Sequence, residues 1–165
     1  MDSFMTGLGH PVGGLDHVLA MGAVGAWSVI VGRRAVWIWP LAFVTTMTLG
    51  FAAGQIGLSL PWVSGVIYSS TLVLALMVAL SVRASVWAGA VLVALFAFFH
   101  GHAHGTEVGA ANPVAFATGF VLSTAGLHAA GMGLGLFAVR SREMAIAVRA
   151  RGAISVFGKL ARIGG

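Results

Sequence analysis

The sequence predicts an all-α, polytopic transmembrane helical bundle with five spans and a basic C-terminal helix. Hydrophobic residues make up 59% of the 165 residues and charged residues only 8%, whereas a soluble domain carries about a quarter charged residues. The apolar residues also fall in stretches of the length, about 20 residues, that a helix needs to cross the hydrocarbon core. We expect residues 1–165 to form a single transmembrane domain.

Five apolar stretches are the predicted spans: residues 15–32, 36–56, 60–82, 85–101 and 113–139. Turn-forming residues separate several of them: Gly57, Pro61, Asn112 and Pro113. Tryptophans near the span ends suit anchoring at the membrane interface, with Trp39 somewhat deeper than the others: Trp37, Trp39, Trp62 and Trp87. Many of the 24 glycines lie inside the spans, which favours close packing of helices in lipid.

Basic residues alternate between the connections and so predict the orientation. Arg33 and Arg34 lie in the first connection, Arg83 in the third, and Arg140 and Arg142 follow the fifth span, while the second and fourth connections contain no Lys or Arg. By the positive-inside rule, the N-terminus is outside. The net charge of +5 is therefore interpreted as a topology signal, and no nucleic-acid partner is expected.

The two ends of the chain leave alternatives open. In residues 141–165, Arg151, Lys159 and Arg162 share one side of a helical wheel. This predicts either a helix in the cytoplasmic interface or a sixth span, in which Lys159 would be costly. The first residues show no basic region followed by an apolar stretch and a cleavage site, so we expect either a native protein without a signal peptide or a mature form with an added Met.

The first polar cluster contains His10, Asp16 and His17, at the start of the first span. On a continuous helix, His10 and His17 would share a face, but the Gly13–Gly14 pair could instead break or bend the helix there. Ionisable groups at this depth are expensive and are candidates for function. The alternative is a helix-terminal Asp16 favoured by the helix dipole, with two interfacial histidines.

The second cluster lies at the end of the fourth span and contains His100, His102, His104 and Glu107. His100 and His104 are four residues apart and share a face if the helix continues, whereas His102 points elsewhere. Neutral imidazole suits Ni, Co, Cu and Zn, and a carboxylate can complete the ligand shell. The alternative is an exposed His-rich loop that binds metal only adventitiously.

His128 stands alone in the fifth span, near or slightly beyond the bilayer midplane. It is either a buried histidine bonded to a neighbouring helix or a second metal station. The chain has no cysteine, so no thiolate ligand or disulfide is available. Met21 shares a helical face with His17, but methionine is more often core filler.

With both clusters described, the sequence resembles the HupE/UreJ family of nickel/cobalt permeases. One family motif looks like GxxHPxxGxDHxxAM, which matches residues 7–21, and another looks like FHGxAHGxE, which matches residues 99–107. The resemblance covers most of residues 7–140. It implies a single metal-permease domain in the bacterial inner membrane, and a metal path that includes His10, Asp16, His17, His100, His104 and Glu107, with His128 as a weaker member. The basic tail departs from the more apolar last span of that family.

From these residues we expect Ni²⁺ or Co²⁺ as the transported ion, with no organic cofactor. His102, His104 and Glu107 are the expected capture groups, and His10, Asp16, His17 and His100 the holding site. Three alternatives belong to other classes: a membrane metalloenzyme, which usually needs HExxH or HxxHH patterns that the chain lacks; a b-type haem protein with His100 and His128 as axial ligands; and a metal-binding accessory or sensor subunit that does not transport.

Overall fold

The structure, a computed structural model, describes the backbone of residues 2–163 and the side chains of residues 2–143. Within those residues every secondary-structure element is an α-helix, as predicted. Its helices, in order, are α1 (Ser3–Gly13), α2 (Leu15–Val31), α3 (Ala35–Gln55), α4 (Val63–Ala79), α5 (Val86–Glu107) and α6 (Pro113–Ile163). α5 continues six residues beyond the predicted end of the fourth span, so the second histidine cluster is helical.

Three helices in the described part of the chain are long and apolar enough to cross a membrane: α3, α5 and the Pro113–Glu143 part of α6. α1 and α2 add a fourth span if they form one broken segment, bent by 79°. α4 is apolar but has only 17 residues, which gives a length of roughly 26 Å against a hydrocarbon core of about 30 Å. The predicted count of five spans is therefore not confirmed.

α6 runs without a break from Pro113 to Ile163. Asn112 begins it, since its side-chain oxygen accepts a hydrogen bond from the Ala115 amide at 3.0 Å. The side chains of Arg151, Lys159 and Arg162, on which the interfacial and sixth-span predictions depend, lie outside the described residues.

α3 and α5 pack with their backbones in contact. Gly50 lies against the carbonyl of Phe98, and Gly101 lies against the carbonyl of Met47, so closely that a Cβ atom at either glycine would overlap the facing carbonyl. Small residues permit such approach between helices in lipid. Because Gly101 stands between His100 and His102, this contact fixes the rotation of α5 and therefore which of its histidines face α2.

α6 packs against both helices of the bent pair formed by α1 and α2. Gly7 of α1 lies against the Phe116 carbonyl, and Gly25 of α2 lies against the His128 carbonyl. The two halves of the pair are thus held on one continuous helix, which fixes the angle between them.

Two tryptophans fill the end of the core farthest from the histidine clusters. The Trp27 indole N–H donates to the Val82 carbonyl at 2.8 Å, and the Trp39 indole N–H donates to the Val86 carbonyl at 2.7 Å. Their ring centroids are 4.3 Å apart, and both side chains are buried. Trp39 is therefore a core residue and not an interface anchor, because its N–H group is bonded inside the protein.

The outer surface of the bundle is apolar. Large hydrophobic side chains are exposed on each of the described helices, for example Leu41, Leu72 and Leu122. A protein in water rarely exposes so much contiguous apolar surface, so this surface suits contact with lipid.

Candidate metal centre

The bend between α1 and α2 places the first histidine cluster. Gly14, at the junction, has an extended backbone, and α2 begins at the next residue with Asp16 and His17 in its first turn. The continuous helix on which His10 and His17 would share a face is therefore not formed. The break, the alternative that the two glycines suggested, brings the rings together instead, with centroids 5.9 Å apart.

α5 brings the second cluster to the same place. His104 is buried and faces the bent pair, with its ring centroid 4.6 Å from that of His10 and 4.6 Å from that of His17. The Nε2 atoms of His17 and His104 are 2.5 Å apart. Potential ligand atoms of all three histidines lie within 4.8 Å of one another. We call His10, His17 and His104 the three-histidine cluster.

The three histidines are close enough to share one ion. The Nε2 atoms of His17 and His104 face each other at 2.5 Å. Two imidazole nitrogens bound to one ion at about 2.1 Å are roughly 3.0–3.4 Å apart, depending on geometry. The cluster therefore has the spacing of a site that holds a single metal ion.

Two carboxylates lie next to the Nδ1 atoms of two histidines of the cluster. Asp16 Oδ1 is 2.9 Å from His17 Nδ1, at an orientation outside ordinary hydrogen-bond geometry, and Glu107 Oε2 is 3.6 Å from His104 Nδ1. Each carboxylate approaches the Nδ1 side of its histidine, so Nε2 of each ring is directed into the cluster. A carboxylate behind a metal-binding imidazole orients the ring and raises its basicity. Asp16 and Glu107 therefore contact the histidines that could bind the ion. The sequence analysis expected both carboxylates to contact the ion itself.

His100 lies one turn before His104 on the same face of α5. It is fully buried, and its ring centroid is 5.8 Å from that of His17. Its Nδ1 atom is 3.0 Å from the Phe96 carbonyl, so Nδ1–H donates to that oxygen. Nε2 therefore carries a free lone pair, and among the described residues it has no hydrogen-bond partner.

His102 faces the connection between α3 and α4. It is 4% exposed, and its Nε2 atom is 2.5 Å from the Leu58 carbonyl oxygen, so Nε2–H donates to it. As predicted, His102 points away from His100 and His104, because α5 continues as a helix and turns this ring against a neighbouring loop. One ring nitrogen is occupied by the protein itself, and Nδ1 remains without a partner in the described part of the chain.

A cavity of about 380 Å³ lies beside the three-histidine cluster. Its wall includes most of the predicted site residues: His10, Asp16, His17, His102, His104 and Glu107. α4 supplies Ser64 and Tyr68 to the same wall, and the sequence analysis did not single them out. Tyr68 is the only tyrosine in the chain, and a polar group inside an apolar stretch could have indicated the site.

His128 is set apart from the cluster. It is 2% exposed, its ring meets the Phe43 ring edge-on at 5.0 Å, and both ring nitrogens lack a partner among the described residues. Phe43 also packs 6.1 Å from the His100 ring. The haem alternative needs the rings of His100 and His128 to face one flat porphyrin. Phe43 packs beside both rings, so its side chain occupies space that a porphyrin between them would need.

Comparison with known proteins agrees with the resemblance seen in the two motifs. The family model of the HupE / UreJ protein matches residues 1–161. The chain is 38% identical over 164 residues to Protein HupE of Rhizobium leguminosarum bv. viciae, which covers 99% of this chain and 86% of that protein. No solved structure matches the chain. Because the family model spans nearly the whole sequence, including both histidine clusters, the chain belongs to the HupE/UreJ family.

Proposed function

We propose that the chain is a secondary transporter that moves Ni²⁺, Co²⁺ or both across the bacterial inner membrane. Family membership, apolar membrane helices and a histidine cluster are consistent with nickel or cobalt transport. The observation that carries the proposal is the convergence of His10, His17 and His104 from three helices beside a cavity. Imidazole is a good ligand for both ions, and neither ion is favoured by this ligand set alone.

Each predicted site residue has a place in this proposal. His10, His17 and His104 bind the ion, and Asp16 and Glu107 lie behind two of them. The two carboxylates together offset the charge of a dication, which is costly to hold in a low-dielectric environment. His102 lines the cavity through which the hydrated ion arrives.

The deeper histidines extend the path. Among the residues whose side chains are described, His100 offers a free Nε2 atom next to the cluster, and His128 further along has two ring nitrogens without a partner. A buried polar group without a partner costs free energy, so such groups inside a membrane bundle are candidates for function. We assign His100 as the next ligand inward and His128 as the last.

The proposed topology keeps five spans in one permease domain. The bent α1–α2 pair is the first span, and α3, α4, α5 and α6 are the others, with the N-terminus and the three-histidine cluster on the outer side. The arginine-bearing connections then lie inside. The 17 residues of α4 cross a locally thinned bilayer, an adjustment that short helices make at modest cost.

Accumulation of radioactive nickel, with cobalt as competitor, tests transport. Cells express the wild type, His17→Ala, His104→Ala or the control Thr48→Ala at matched membrane levels. Thr48 is exposed on α3, and its hydroxyl donates only to Val44 of its own helix. We expect uptake by the wild type and the control, and none by the two histidine variants. Uptake by the wild type no higher than in cells without the chain would overturn the transport proposal.

The alternative of a non-transporting accessory or sensor subunit uses the same cluster, so a binding assay must accompany the flux assay. Purified protein is titrated with Co²⁺, whose visible absorption reports nitrogen ligation. Binding that His17→Ala removes, together with no flux, would favour the accessory role. Binding and flux that are both lost in the same variant support a permease.

A further inference from the structure

A second concavity lies on the lipid-facing side of the bundle, between α4 and α6. It has a volume of about 1090 Å³, compared with about 380 Å³ for the cavity beside the histidines. No residue lines both. Its floor is formed by α2 and includes Gly22, Ala23 and Ala26. We call it the α2 groove.

The α2 groove is apolar along most of its length. Leu127 and Leu134 of α6 form one wall, and Val78 of α4 belongs to the other. The backbone carbonyl of Gly22 touches Gly131, so α2 and α6 are in direct contact below the floor. A groove of this kind offers no hydrogen-bonding group in its apolar part and suits a flexible hydrocarbon chain.

One end of the α2 groove is charged. Arg83, Arg142 and Glu143 line it. The bond from Trp27 to Val82 places Arg83 near the last turns of α2, and the contact of Gly135 with Ala26 brings the end of the α6 wall to the same level. Both arginines are exposed, and with Glu143 they give this end a net positive charge.

We propose that the α2 groove binds a phospholipid with an anionic headgroup. The phosphate diester lies between Arg83 and Arg142, and an acyl chain follows the floor past Gly22. Basic pockets between transmembrane helices on the cytoplasmic side are known recognition sites for anionic headgroups. This site is separate from the metal path, so the proposal rests on the proposed topology but does not depend on transport.

Charge argues against a second copy of the chain as the occupant. A protein partner would have to pair both arginines with acids, and the whole chain has only four acidic residues. Two of them, Asp16 and Glu107, lie at the three-histidine cluster. Asp2 caps the first turn of α1, and Glu143, the fourth, already lines the same end of the groove as the arginines. A lipid phosphate supplies the missing negative charge directly.

The headgroup contact is tested by native mass spectrometry of the purified full chain, with phosphatidylglycerol and phosphatidylcholine of identical acyl chains as probes. Arg83→Gln/Arg142→Gln is compared with Arg33→Gln/Arg34→Gln, which removes the same charge outside the groove. We expect the wild type to retain phosphatidylglycerol preferentially. An arginine near a lipid phosphate contributes a factor of about five, so the groove variant should lose roughly 30-fold of the preference. An equal loss in both variants would show simple surface attraction and overturn the proposal.

The acyl-chain contact is tested independently with Gly22→Leu and Gly126→Leu. A Cβ atom at either glycine meets nothing within 4 Å, so both variants can fold, but only Gly22 lines the groove. We expect Gly22→Leu to reduce phosphatidylglycerol retention at least several-fold and Gly126→Leu to leave it unchanged. Full retention in Gly22→Leu, or a lipid-free dimer as the wild-type species, would overturn the proposal.

Discussion

Replacing Asp16 by asparagine should weaken metal binding by one to two orders of magnitude. The carboxylate is 2.9 Å from His17 Nδ1 and about a third exposed. An ion bound at Nε2 of the same ring would be roughly 7 Å from it, given metal–nitrogen bonds of about 2.1 Å. With an effective dielectric constant between 20 and 80, the attraction is roughly 1–5 kcal/mol. Because Asp16 is partly solvated, we expect the lower half of that range, which agrees with the 10- to 100-fold typical of carboxylates behind metal-binding histidines.

Equilibrium titration of the purified protein with Co²⁺ measures this loss, and Asp2→Asn is the matched control. Asp2 caps the first turn of α1 by accepting from the Phe4 amide at 3.1 Å, a bond that asparagine can retain. The control should therefore keep wild-type affinity. An Asp16→Asn protein that binds Co²⁺ within a factor of two of the wild type would refute the role given to the carboxylate.

Three further predictions concern packing and pH. Gly101→Ala should destabilise the protein by about 1–3 kcal/mol, because its Cβ would overlap the Met47 carbonyl. The control Gly126→Ala, at an open position, should not lower the melting temperature. Equal melting temperatures for the two variants would contradict this prediction. Trp39→Phe should lower the free energy of unfolding by about 1–3 kcal/mol, measured by thermal unfolding, because the Val86 carbonyl would lose its buried hydrogen-bond donor. A variant as stable as the wild type would show that this hydrogen bond does not stabilise the fold. Co²⁺ affinity of the purified protein should fall when the solution is acidified, since protons compete with metal for imidazole. The fall should begin below the pH of about 6.5 at which an exposed imidazole titrates, because burial disfavours the charged ring. An affinity that stays constant over the whole acid range in which the protein remains folded would argue against histidine ligation.

The sequence predicted the helical class and the convergence of the two histidine clusters because both rest on simple rules. Long apolar stretches must be helices in lipid, and ionisable groups there are expensive unless they act together. The i, i+4 spacing of His100 and His104 correctly placed both on one face of α5. These rules need no knowledge of how the helices pack.

The details that depend on packing could not be predicted. Gly14 could equally have continued or bent the helix, and the 79° angle is set by the contacts of α1 and α2 with α6. The spacing of the histidines showed that His102 points away from His100 and His104, but not that the loop before α4 covers it and that Leu58 accepts its N–H. Trp39 was expected as an interface anchor somewhat deeper than the other tryptophans, whereas it is fully buried and donates to the carbonyl of a residue 47 positions away.

The three-histidine cluster takes its ligands from helices that belong to different parts of the bundle. His17 belongs to α2 and His104 to α5, and their Nε2 atoms face each other. An ion bound by both histidines therefore joins the two helices. The glycine contacts hold α5 on α3 and the bent pair on α6. The contact between these two units at the cluster is thus the place where ion binding can be coupled to a change in the bundle.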